Sequence, residues 1–205
     1  MANMGWFADA WGRGDVDYYL TLARGISPRQ LVDRVAGGPV EQLPDMTPRE
    51  ADARTDMRSI YTIGRLAVVG GWSLLVETGA SDGMLTPPDV SRDGAEVLIF
   101  DPRQDDPPSF FTYLKNGELL LHLPTSSPYD RGGLQPDVLL PALLAAGLVT
   151  EDGPSEQEMR ASPAEVRLRT IHMLTDHFDI DVPKTLIEDA PLPAVLLRTT
   201  PPSTW

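Results

Sequence analysis

Three sets of residues in this chain have the types and spacings that chemistry uses. Gly79-Ala80-Ser81-Asp82-Gly83 matches G-x-S-x-G, the frame in which a tight strand-to-helix turn lifts a serine hydroxyl toward an oxyanion hole. His172, Asp176, His177, Asp179 and Asp181 gather imidazole and carboxylate donors in one short stretch. His122 lies just beyond an aromatic run with Phe111, Tyr113 and Lys115, and Glu118 falls between them. That last set has the make-up of a groove lining or a partner contact.

The first two sets fail on geometry. A serine elbow needs its helix at once and parallel strands before it. Ser81 is instead followed by Met84-Leu85-Thr86-Pro87-Pro88 and preceded by segments that read as mostly helical. Nothing in the pattern brings His172 or His177 to Ser81, as a triad would require. The two histidines are five apart, about 140° around a helix, so both cannot point at one ion. Asp176-His177-Phe178-Asp179-Ile180-Asp181 also lacks the glycine and terminal glutamate of a calcium loop. No catalytic residue, metal ligand or cofactor is assigned, and the candidate binding residues are Phe111, Tyr113, Lys115, Glu118 and His122.

These five sit on one predicted hairpin. Asn116-Gly117 between two apolar runs is a strong type I′ signal, because that turn needs φ > 0 at both central positions. Closing on it pairs Lys115 with Glu118, Tyr113 with Leu120 and Phe111 with His122. The opposite face then holds Phe110, Thr112, Leu114, Leu119, Leu121 and Leu123, which must be covered. A second hairpin runs over residues 66–78 around Gly70-Gly71, residues 97–100 form a buried strand, and residues 194–197 are a further strand candidate. Helices are expected from Asp15 to about Arg24 with Asp15 as N-cap, after Ser27-Pro28-Arg29-Gln30, after Thr47-Pro48-Arg49-Glu50, over 136–146, from Pro163 to about Phe178, and from Pro183. Strands in near succession with short connections give an α+β fold: a mainly antiparallel sheet of about four or five strands with helices packed on one face. Residues 1–14 read as an aromatic segment docking on the body, 15–198 as a single domain and 199–205 as a loose tail.

The chain has 205 residues, 41% hydrophobic and 23% charged, a globular balance. Its formal net charge is −13 and its only lysines are Lys115 and Lys184. Such a charge opposes binding to nucleic acid or anionic lipid, which needs clustered cations, and leaves a basic protein as the charged partner it would favour. Cysteine is absent, which removes thiol catalysis and Cys-ligated metals and suits a reducing compartment. The opening residues lack the basic and apolar regions of a secretory signal, and the apolar run 138–149 is too short to span a bilayer. A cytoplasmic location is the expectation.

Several segments together, in order, resemble an actinobacterial family of single-domain proteins to which no activity is assigned. They are Tyr18-Tyr19-Leu20-Thr21-Leu22-Ala23-Arg24-Gly25 with Ser27-Pro28, Gly71-Trp72-Ser73-Leu74-Leu75-Val76-Glu77, the hairpin from Phe110 to Glu118, Pro136-Asp137-Val138-Leu139-Leu140-Pro141, and Leu192-Pro193. The chain departs from that pattern at residues 40–62 and 79–86. The resemblance implies a shared fold in a bacterial cytoplasm and carries over no chemistry. The resulting expectation is a protein-protein interaction module, an immunity-type or regulatory protein binding a protein partner. The alternative is an enzyme of the hydrolase class, or a small-molecule sensor, with a pocket near His122 or Ser81.

Overall fold

A computed structural model describes residues 5–13, 18–54, 61–78, 87–102, 109–153 and 161–198. Along the chain these form α1 (Gly5–Arg13), β1 (Tyr18–Arg24), α2 (Pro28–Val35), β2 (Glu41–Met46), α3 (Pro48–Arg54), β3 (Tyr61–Val69) and β4 (Trp72–Thr78). Then come β5 (Glu96–Asp101), β6 (Phe110–Lys115), β7 (Glu118–Pro124), α4 (Leu140–Ala145), α5 (Pro163–His177), α6 (Lys184–Glu188) and β8 (Leu192–Arg198), with 3-10 turns at Pro88–Ser91 and Pro128–Asp130. The strands make one sheet in the order β2-β8-β3-β4-β1-β5-β6-β7, and every pairing is antiparallel.

The sheet therefore has eight strands rather than four or five. Most of the difference lies in β1 and β2. Tyr18–Arg24 is a strand, not the end of a helix, and it sits between β4 and β5. Leu20 and Leu22 enter one layer of the core and Ala23 the other. A strand covered on both faces loses the alternation that would reveal it. The N-cap expected at Asp15 lies outside the described residues, as does the tail 199–205. β2 escapes sequence reading because it is an edge strand, largely exposed and interrupted by Pro44.

Helices also cover both faces rather than one. On the first face Leu20, Leu74, Val76, Phe100, Phe111 and Leu123 pack with Phe7 of α1, Leu143 of α4, Ile171 and Leu174 of α5 and Ile187 of α6. Phe7 is fully buried, and Trp6 Nε1 donates to the Val182 carbonyl at 2.9 Å. On the second face Leu75, Val97, Ile99, Leu114, Val195 and Leu197 pack with Leu31 and Val32 of α2 and with Val90. Each such leucine or phenylalanine contributes about 1.5–3 kcal/mol by leaving water.

Helix starts follow their predicted grammar. Ser27 with Gln30 and Ser162 with Glu165 close reciprocal capping boxes, and Glu50 accepts from the Thr47 N–H at 2.8 Å while its own N–H donates to Thr47 Oγ1. The helix expected over 136–146 is shorter, Leu140–Ala145, because 136–139 form turns. At the other end of α5, Asp179 takes φ +51° and the Ile180 N–H reaches back to the Thr175 carbonyl at 2.9 Å. That is a Schellman stop with aspartate where glycine is usual.

The central hairpin turns at Asn116 (φ +54°) and Gly117 (φ +80°), as the dipeptide predicts. Its register then slips. Lys115 opposes Glu118 and Leu114 opposes Leu119, but Tyr113 opposes Leu121 and Phe111 opposes Leu123. Leu120 is the extra residue of a bulge, and past it every side chain has exchanged faces. The carbonyls of Leu119 and Leu120 accept from the N–H groups of Leu134 and Gln135 at 3.0 and 2.9 Å, and His122 exchanges backbone bonds with Gly132. The bulge is thus held by a segment a dozen residues further on.

Candidate functional site

The bulge divides the five candidate residues. Phe111 and Tyr113 belong to the first face, where Phe111 is fully buried. His122 lies opposite Thr112 on the second face, its ring stacked on Phe110 at 4.3 Å and its Nδ1 3.0 Å from Thr112 Oγ1. Glu118 is exposed beside the turn. Only Tyr113 and Lys115 meet in a common site.

That site is built around Glu96, the first residue of β5. Its neighbours arrive because β1, β5 and β6 are adjacent, so the end of β1 brings Arg24 and the end of β6 brings Tyr113 and Lys115 to the same sheet edge. The Tyr113 hydroxyl donates to Glu96 Oε1 at 2.6 Å. Arg24 Nη1 stands 3.6 Å from Glu96 Oε2, and Lys115 Nζ 3.6 Å from Oε1. Arg24 also donates through Nη2 to the Phe178 carbonyl at 3.3 Å and lies 4.1 Å over the Trp72 indole, a cation–π contact that fixes its plane. Phe178 closes against Tyr113 and Trp72 edge-on, at 5.2 and 6.5 Å.

Above this floor opens a cleft of about 400 Å³ lined by Arg24, Glu96, Tyr113, Leu139, His177 and Asp179. The Schellman stop of α5 places the last two at its rim, both exposed. Asp179 holds a conformation that costs non-glycine residues energy, and such positions gather at functional sites.

The chemistry of the cleft is that of a prepared polar surface. Burial, then the hydrogen bond and charge of Glu96, push the Tyr113 phenol well above its ordinary pKa against the opposing pull of Arg24. The phenol is therefore a donor near neutrality, neither base nor nucleophile. Glu96 is engaged by two cations and a hydroxyl, which make it the anchor of the site. Arg24 and Lys115 keep 48% and 45% of their side chains exposed, which leaves donors directed at solvent.

A second cleft, about 310 Å³, lies between Pro128, Tyr129, Leu148 and Val166. Two of its polar groups are engaged elsewhere: Arg169 donates to the Ala146 and Gly147 carbonyls at the end of α4, and Tyr129 Oη accepts from the Thr150 N–H. Neither of these two clefts includes His122, and Ser81 with its glycine frame lies outside the described residues. Among the described residues no three His, Asp or Glu side chains are grouped to hold a metal ion, and no helix is long and apolar enough to cross a membrane.

A model of a family of unknown function, DUF6461, matches residues 1–192. The chain belongs to the DUF6461 family. No curated protein and no solved structure matches it. In this DUF6461 member the cleft lining draws on five separate segments, and Arg24 and Glu96 were missed from sequence because neither stands in a local motif. The available signal was positional: once β1, β5 and β6 are known to be neighbours, the charged residue ending or starting each one falls at the same level.

Proposed function

We propose that this protein is a cytoplasmic protein-protein interaction module, of immunity or regulatory type, that holds its partner at the Glu96 cleft. The observation carrying this reading is the preformed Arg24–Glu96–Tyr113–Lys115 constellation on a Trp72–Phe178 floor. Arginine and tyrosine are among the side chains that dominate interface energetics, and the buried Trp72 and Phe178 beneath them fix their positions, which lowers the ordering cost of binding. The rim adds exposed His177 and Asp179, and the overall charge of −13 steers a basic partner inward at low salt. Among the described residues the cleft sets no nucleophile beside a base, which favours recognition over turnover.

The test is co-purification from the native host followed by mass spectrometry, run with the wild-type chain and with Arg24→Ala and Lys115→Ala. A partner held by wild type should be depleted about tenfold or more by Arg24→Ala, as for loss of an interface arginine. Identical recovery by all three chains would overturn the assignment. A small-molecule sensor is the second reading, favoured by a cleft volume within the range of ligand pockets. It predicts instead that thermal stability rises with a host metabolite extract and that Arg24→Ala removes the rise.

A further inference from the structure

Away from the cleft, the first face of the sheet contains a buried cation that lacks a counter-charge among the described residues. Arg65 of β3 is only 1% exposed. Its Nη2 donates to the Ile187 carbonyl at 2.8 Å, while Nε and Nη1 are buried with no acceptor. Tyr18, at the start of β1, turns to the same face, for β4 lies between the two strands and pairs Val76 with Arg65 and Thr78 with Tyr18. The Tyr18 hydroxyl is likewise buried and without a partner. Its ring is held by Phe7 of α1, stacked at 6.4 Å.

Leaving such groups unsatisfied is costly, and more so when they are charged. A guanidinium has no lone pair to offer and the hydroxyl is also a donor. The shared deficit is therefore an acceptor, and one bearing negative charge answers the buried cation as well. The carboxylate that acts on Tyr18 is Glu188 of α6, but it is drawn outward to Lys184 Nζ at 3.4 Å. We propose that Arg65 and Tyr18 form a buried site for a small oxyanion, a carboxylate or an inorganic phosphate, between the sheet and the helices α1 and α6. Burial and Glu188 hold the Tyr18 phenol protonated, which keeps it a donor to the anion. Tyr18 starts β1 and Arg24 ends it, so the site is separate from the Glu96 cleft and does not depend on what that cleft binds.

The experiment is thermal unfolding of the full chain in sodium phosphate, sodium acetate and sodium chloride at matched ionic strength, with isothermal titration calorimetry for whichever anion stabilises. Wild type should show a saturable rise in Tm of several degrees over chloride, in phosphate for a tetrahedral anion or in acetate for a carboxylate. Tyr18→Phe keeps the ring on Phe7 and removes only the hydroxyl, and it should weaken the anion about tenfold. Arg65→Met, provided it folds, should abolish the response. Equal Tm in all three salts would mean that water alone fills the site and would overturn the proposal, as would a rise that Tyr18→Phe leaves intact.

Discussion

Glu96 does at residue scale what no local motif announced: one carboxylate orders a phenol, a guanidinium and an ammonium from the two strands on either side of its own. Tyr113 was readable as a candidate because it stands in an aromatic hairpin, whereas its partner could be named only once β5 was known to lie beside β6. The face expected for His122 differs from the observed one for a related reason, since it depends on one inserted residue. The Tyr113 phenol, raised above its ordinary pKa of 10.0 by burial and Glu96, supplies a pH prediction. The folded state holds this proton more tightly than the unfolded chain does. The stabilisation is therefore complete below about pH 10 and lost as pH rises through the folded-state value. Tyr18, also raised by burial, acts in the same direction. Tm should be insensitive to these groups up to about pH 10 and fall above it, with tyrosinate absorbance near 295 nm appearing together with unfolding. Ionisation of all five tyrosines at ordinary pH in the still-folded protein would contradict this.

At the scale of elements, what was legible was punctuation. Serine or threonine with proline and an acceptor three residues on marked α2, α3 and α5, and Asn116-Gly117 marked its turn, because those signals are local and satisfy backbone groups within a few residues. What was not legible depends on distant chain. The bulge at Leu120 exists because the segment around Gly133 takes up the carbonyls it frees, and no window of the hairpin contains that segment. Gly133 is the residue on which this contact turns. It adopts φ +118°, and a Cβ there would stand 2.5 Å from the Leu120 carbonyl oxygen, a backbone atom that cannot step aside. Gly133→Ala should therefore destabilise the fold by about 1–3 kcal/mol, strain and overpacking together, read as a lowered urea midpoint at unchanged m-value. If the midpoint does not move, the segment does not hold the bulge and the register shift needs another cause.

For the molecule as a whole, an eight-stranded antiparallel sheet covered on both faces still has two edges, and they are managed differently. Segment 132–135 bonds to the outer side of β7, so that edge is partly occupied. β2, at the opposite end of the strand order, relies on its own sequence: Glu41, Pro44 and Asp45 are exposed, and its register with β8 breaks between Leu43 and Met46. Proline removes an N–H, the break spoils regular pairing, and the acidic side chains repel a second copy carrying the same charges. The exposed acidic residues and the proline that make residues 41–46 look unlike a strand thus suit an edge strand in a chain of net charge −13. Restoring strand character there should expose the hazard. Pro44→Val with Asp45→Thr supplies the missing donor, adds two β-branched residues and removes one charge, while leaving both large cores untouched. Light scattering after gel filtration should show mass rising with protein concentration for the double variant and not for wild type, and the rise should grow with salt as the remaining Glu41 repulsion is screened. Unchanged mass at all concentrations would mean that proline and charge do not protect this edge and that the broken register alone is enough.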